Sequence, residues 1–155
     1  MSRENAQPLT NGVILLIEDN SDDVELFRLA IAQSGSQSRV VAVSFGRDAI
    51  KYLDNFGEFA NKTEFPKPTL IVLDLSLPGM TGFDFLSWAR GEPPGTIPPI
   101  VVLSYSKIEL NRTLAARLGA KAYFVKSPDL SESSAMAREL LLFNAPPSSS
   151  VKPQL

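Results

Sequence analysis

Short β-rich apolar runs alternate five times with stretches whose apolar residues recur at helical spacing, the pattern of a parallel sheet wrapped by helices. The runs are Val13–Ile17, Val40–Val43, Leu70–Leu73, Ile100–Leu103 and Ala122–Val125. Helical spacing follows in Val24, Phe27 and Ile31, in Ala49, Leu53 and Phe56, in Leu110, Leu114 and Leu118, and in Met136, Leu140 and Phe143. The third helical stretch, Thr81–Arg90, is less regular, because Phe83, Phe85, Leu86 and Trp88 crowd more than one face. Five strand-helix units predict a right-handed, doubly wound α/β sheet of five strands and five helices. The last three strand runs are nearly continuous apolar stretches, which predicts helices covering both of their faces.

All 12 prolines fall outside these segments, where they break neither a helix nor a central ladder. Two connections stand out: a long polar and aromatic one at Gly57–Pro68, and Gly91–Pro99 with four prolines. Residues 1–12 read as a disordered N-terminal segment, 13–143 as one domain, and 144–155, rich in Pro and Ser, as a disordered tail.

Composition removes several kinds of chemistry. The 155 residues include no Cys and no His, which excludes a disulfide framework, a zinc site, a thiol nucleophile and a Ser-His-Asp triad. Any metal must be held by oxygen. A net charge of −2, from 15 Lys+Arg and 17 Asp+Glu, lacks the basic excess of a nucleic-acid-binding domain. The apolar runs are too short to span a membrane and residues 1–12 hold no signal-peptide core, so a cytoplasmic location is expected.

Ligands of open α/β sheets bind beyond the carboxyl ends of the strands, and here those ends are polar. The first run leads into Glu18, Asp19 and Asn20, the third into Asp74, the fourth into Ser104 and the fifth into Lys126. The second ends blandly in Ser44, as an edge strand away from the site does. Converging carboxylates repel unless a cation sits among them, and an oxygen-only cluster suits Mg²⁺. A lysine ammonium and a serine hydroxyl opposite are the donors that a transferring phosphoryl group needs. Each residue alone has a plainer explanation. Asp22 and Asp23 open a helix and are assigned to capping and the helix dipole. Asp74 could cap the turn containing Pro78, Gly79 and Gly82. Placement at four of the five strand ends favours the phosphoryl site.

The segments ILLIEDNSDD (14–23), VLDLSLPGMTGFDFL (72–86), VVLSYS (101–106) and GAKAYFVKSP (119–128) resemble, in order and spacing, the signature blocks of the receiver domain of two-component response regulators. The resemblance implies a flavodoxin-like fold with strand order 2-1-3-4-5. It implies Asp74 as phosphoacceptor, with Pro78 and Gly82 completing its D-x-x-x-P-x-x-x-G surroundings. Asp19 is implied as a direct Mg²⁺ ligand, Glu18 as one acting through water, and the backbone carbonyl of Ser76 as completing the metal site with Asp74. Ser104 matches the switch hydroxyl, Tyr123 the switch aromatic, and Lys126 the phosphoryl-pairing lysine.

Two positions depart from the pattern. Ser127 stands between Lys126 and Pro128, where the family has Lys-Pro with a cis peptide; a non-proline cis bond costs about 2.5–4 kcal/mol. Tyr105 replaces the usual small residue after the switch hydroxyl and is expected to crowd the mouth and alter dephosphorylation. The Gly57–Pro68 loop, the E-D-N start and the Lys-Ser ending resemble a single-domain subclass paired with phytochrome-like histidine kinases.

The implied function is that of a stand-alone receiver, not a classical enzyme, since the 29 residues after Lys126 hold no output domain. A partner histidine kinase or His-phosphotransfer protein would donate to Asp74. The signal would leave as altered binding to a downstream protein, or a second copy of the chain, at the face of the fourth helix, fifth strand and fifth helix. Two other functions compete with this one. An aspartate-nucleophile phosphatase wants a second acid where Ser76 stands, and a cap domain. A phosphorylation-independent adaptor would not need the complete set Glu18, Asp19, Asp74, Ser104 and Lys126.

Overall fold

The computed structural model describes residues 12–144, and the proposed terminal segments lie almost entirely outside them. The strands are β1 (Val13–Ile17), β2 (Arg39–Val43), β3 (Leu70–Leu73), β4 (Ile100–Ser104) and β5 (Ala122–Val125). The helices are α1 (Ser21–Gln33), α2 (Gly46–Leu53), α3 (Gly82–Arg90), α4 (Glu109–Arg117) and α5 (Leu130–Leu140). Short 3-10 segments cover Gly57–Phe59 and Leu141–Phe143. All strands are parallel in the order β2-β1-β3-β4-β5, as expected. The order reverses between β1 and β3, where Ile14 pairs Leu70 and Ile17 pairs Leu73.

Alternation along the strands sorts the core into two layers. Leu15, Ile17, Ile71, Leu73 and Val102 face Ala49, Tyr52, Phe85, Leu86 and Ala115 of α2, α3 and α4. Ile14, Leu16, Leu70, Val72, Val101 and Leu103 face Phe27, Ala30, Ile31, Ala137 and Leu140 of α1 and α5. β3 and β4 are buried throughout, but β5 is half-buried along its length. The expectation of full cover fails there because β5 is an edge strand with one neighbour.

The helix spacing needs three corrections. Phe56 lies beyond α2, which stops at Leu53; Asn55 turns the chain at φ 50°, and Phe56 is exposed. Phe143 sits in a 3-10 turn, its ring edge-on to Phe124. In α4 two of the three predicted positions point outward. Leu110 and Leu114 are 72% and 39% exposed, while Ala115 is the helix's one buried residue and Leu118 is its half-buried cap. Asn111, Ala115 and Leu118 share the same helical period and take the inner face, so periodicity alone could not choose between the stripes.

The Gly57–Pro68 connection is packed by its own aromatics. Tyr52, Phe59 and Phe65 pack ring to ring with centroids 5.1–5.8 Å apart, and the Tyr52 hydroxyl donates to the Pro66 carbonyl at 2.8 Å. At the opposite end of the chain Asn144, which composition groups with the tail, is fully buried. Its amide donates to Ser38 Oγ at 3.1 Å, and its carbonyl oxygen accepts from the Thr69 hydroxyl. The folded unit therefore runs through Asn144.

Candidate functional site

The strand ladders deliver the polar residues to one place. The Glu18 amide donates to the Val43 carbonyl at 2.9 Å, the Asp74 amide to Ile17 at 3.1 Å, and the Lys126 amide to Ser104 at 2.8 Å. Each side chain thus stands at the carboxyl edge of the sheet, with the switch point between β1 and β3 beneath it. Glu18, Asp74 and Ser104 are buried, and Asp19 is exposed at the rim.

Glycine at position 82 is a consequence of this crowding. A Cβ there would stand 2.6 Å from both the Asp74 carbonyl oxygen and Leu75 Cα. Only a hydrogen at that position lets α3 begin directly behind the strand end. Thr81 starts the helix with a reciprocal capping box to Asp84.

Glu18, Asp19 and Asp74 each offer one carboxylate oxygen, and these three atoms lie within 4.8 Å of one another. That separation and an all-oxygen donor set fit a hard divalent cation. The Ser76 amide donates to Asp74 Oδ1 at 3.1 Å, tying the next turn to the carboxylate.

Lys126 reaches into the same cluster. Its ammonium stands 2.5 Å from Glu18 Oε1, 2.9 Å from Asp23 Oδ2 and 3.3 Å from Asp74 Oδ2. Burial alone would lower the lysine's pKa, but the hydrogen bonds to Glu18 and Asp23 and the charges of Asp74 and Glu18 more than reverse it. Lys126 is therefore held as a cation. Burial, reinforced by the charge of Asp74, pushes Glu18 up to about 7 despite the lysine.

Asp23 was missed by the assignment of Asp22 and Asp23 to helix capping. Asn20 performs that task, accepting the Asp23 amide at 3.0 Å, so the Asp23 carboxylate turns to Lys126 instead. A strong capping residue already present ahead of the acidic pair was the available signal. Asp22 is exposed, as a helix-dipole residue should be.

Tyr105 stands at the mouth, half exposed, with its hydroxyl donating to Asp23 Oδ1 at 3.1 Å. Its ring lies over the Lys126 ammonium at 4.9 Å to the centroid. Tyr123 donates from its hydroxyl to the Ser106 carbonyl at 2.9 Å, beneath the Arg112 guanidinium 4.7 Å from the ring centre. Ser127 shapes the turn into α5: its hydroxyl bonds Glu132 at 2.5 Å and its carbonyl accepts from Ser133 at 2.9 Å. No cis peptide occurs among the described residues.

Comparisons with known proteins agree with this geometry. Residues 14–138 match the response regulator receiver domain family. The response regulator Rcp1 of Synechocystis sp. is 32% identical over 120 residues, covering 77% of this chain and 80% of that one. The regulatory protein SphR of Synechococcus elongatus is 34% identical over 129 residues, 83% of this chain but only 48% of SphR. Among solved structures, the phosphorylated cyanobacterial phytochrome response regulator RcpA superposes with a TM-score of 0.76 at 33% identity, covering 93% of this chain and 99% of that one. The Mn²⁺-bound form of Rcp1 gives 0.71 at 30% identity, covering 83% and 90%. With its fold, its strand-end carboxylates and most of its length in agreement, the chain belongs to the response regulator receiver domain family.

Proposed function

We propose that Asp74 is the phosphoacceptor of this receiver and that Lys126, Ser104 and Tyr123 read its state. The observation that carries this reading is the Lys126 ammonium 3.3 Å from Asp74 Oδ2, at the buried end of the central strand. An Asp74 carboxylate oxygen attacks the phosphorus of a phosphohistidine on a partner. A P–O bond forms, the P–N bond breaks, and the imidazole leaves with the electron pair and takes a proton. Lys126 then faces the phosphoryl oxygens, and the Ser104 hydroxyl turns toward them.

Asp19 and Asp74 would hold a cation directly and Glu18 through water, with the Ser76 carbonyl completing the set. Mg²⁺ there would supply charge neutralisation for the phosphoryl oxygens. That the similar protein Rcp1 has a Mn²⁺-bound form supports a divalent ion as the occupant.

Likeness to phytochrome response regulators supports a phytochrome-type histidine kinase, or a His-phosphotransfer protein, as donor. No helix among the described residues is long and apolar enough to cross a membrane. The outward apolar side chains Ile108, Leu110 and Leu114 support α4 as part of the surface where the signal leaves, toward a downstream protein or a second copy of the chain. The chain's own chemistry is acceptance and loss of the phosphoryl group.

The test is incubation with Mg²⁺ and acetyl phosphate, followed by intact mass. One acid-stable, base-labile phosphoryl adduct is expected, absent in Asp74→Asn. An adduct that survives that substitution overturns the assignment. No adduct with any donor favours the adaptor, and sustained turnover of phosphate esters favours a phosphatase.

A further inference from the structure

Three carboxylates surround the Lys126 ammonium, but they are not equivalent. Glu18 and Asp74 belong to the oxygen set that can enclose a cation, whereas Asp23 does not. Once those two are engaged, Asp23 is the carboxylate left to the lysine. Its Oδ2 is 2.9 Å from Nζ, and its Oδ1 accepts the Tyr105 hydroxyl at 3.1 Å. The same tyrosine ring lies over the ammonium. The bridge links the first turn of α1 to the residue after β4, across 82 positions of sequence. It closes over the lysine on the solvent side, where Tyr105 is half exposed and the Asp23 side chain is 15% exposed.

A lysine on a flexible four-carbon stem aims poorly by itself, because holding it in one direction costs rotamer entropy. Its value to phosphoryl transfer lies in standing where negative charge develops. We propose that Asp23 and Tyr105 are positioning residues that aim Lys126 at Asp74, and so set both the rate of phosphoryl acceptance and the lifetime of the aspartyl phosphate. This rests on Asp74 being the phosphoacceptor. Asp23 accepts one hydrogen bond from each partner, so loss of either partner loosens the other. Tyr105 also shields the ammonium from water, which keeps its charge effective.

The experiment compares wild type with Asp23→Ala, Tyr105→Phe, their double variant, Asp22→Ala and Asp74→Asn. Adduct formation with acetyl phosphate and Mg²⁺, and its decay after donor removal, are followed by intact mass. Asp23→Ala is expected to slow acceptance and speed decay, each about 3–10-fold, the order of the net contribution of one hydrogen bond. Tyr105→Phe keeps the ring and loses the bridge, and is expected to fall between wild type and Asp23→Ala. Because the two act as one unit, the double variant should match Asp23→Ala. Asp22→Ala removes the same charge without touching Lys126 and should match wild type. Effects that multiply in the double variant, or wild-type rates in both singles, overturn the bridge.

The side-chain ammonium resonance of Lys126 in ¹⁵N-labelled protein supplies a second measurement, independent of phosphoryl chemistry. A held ammonium exchanges its protons slowly; its signal should persist in wild type and Asp22→Ala and broaden in Asp23→Ala. An unchanged signal in Asp23→Ala overturns the proposal even if no adduct forms, while an absent wild-type adduct overturns only the phosphoacceptor reading. Asp23→Asn, which keeps one acceptor oxygen, serves if the alanine variant does not fold.

Discussion

The Tyr123 hydroxyl donates to the Ser106 carbonyl at 2.9 Å, and the amide of that same Ser106 donates to Ser104 Oγ at 3.1 Å. The two side chains proposed as the switch therefore grip one residue of the β4–α4 loop from either side. Removing the phenol oxygen in Tyr123→Phe is expected to cost about 1 kcal/mol. It should also speed hydrogen exchange at Ser106, leaving the α1–α5 layer as it was. Urea denaturation with residue-resolved exchange checks both, and unchanged Ser106 exchange would show that the hydroxyl does not restrain the loop.

Gly82→Ala is expected to destabilise by about 1–3 kcal/mol, the cost of forcing backbone apart in a packed site. Its added methyl meets the Asp74 carbonyl and Leu75 Cα, not a flexible side chain. Acetyl phosphate labelling should slow as well, since β3 and α3 cannot separate without moving Asp74. A fully stable, normally labelled variant would contradict the close approach.

Phe59→Ala empties the centre of the Tyr52, Phe59 and Phe65 cluster and should cost roughly 3 kcal/mol. Exchange should rise within 57–68 before the sheet is affected. Tyr52→Phe leaves the Pro66 carbonyl without its donor and should cost about 1 kcal/mol. Differential denaturation of the two variants separates packing from hydrogen bonding.

A cation held by Glu18, Asp19 and Asp74 stabilises the folded chain by mass action. Mg²⁺ at about 100 times its Kd should add about 2.7 kcal/mol, removed again by a chelator. Asp19→Asn should abolish that gain while costing little in metal-free stability, because Asp19 is exposed at the rim. Equal Mg²⁺ stabilisation of wild type and variant would move the cation elsewhere.

Asp129 caps α5 and accepts the Glu132 amide at 3.0 Å, a bond that holds its carboxyl below the ordinary 3.8. The sign follows from linkage: a depressed carboxylate stabilises above its unfolded value, and that contribution is lost as pH falls through the folded value. Wild type should lose more stability below about pH 3.8 than Asp129→Asn does. Denaturation curves at pH 3 and pH 6 decide it.

The strands were legible because each is a short apolar run ended by a polar residue; β2 starts one residue earlier, at Arg39, and β4 takes in Ser104. The α4 register was not, since two stripes share its period and only contact with the sheet selects Ala115. Glu18, Asp74 and Lys126 are legible as strand ends, and the structure brings both carboxylates within hydrogen-bond reach of the Lys126 ammonium. Asp23 was hidden because an acidic residue in a first helical turn already has an ordinary explanation. Its tertiary partner lies 103 residues away, beyond the reach of local spacing. Tyr105 was recognised as crowding the mouth, but its bond to Asp23 needed the folded loop.

Asn144 is clasped between Thr69 and Ser38, the residues just ahead of β3 and β2, and Gly12 accepts the Arg39 amide at the same edge. Both described ends of the chain thus emerge at the floor of the sheet, while the carboxylates of Glu18, Asp19 and Asp74 occupy its roof. A strand of five residues separates the two levels by roughly 16 Å. The described chain therefore leaves the sheet, at Gly12 and at Asn144, on the side away from the carboxylates. A reporter meant to sense the surroundings of Asp74 belongs on a loop of the upper surface, such as the one that carries Tyr105.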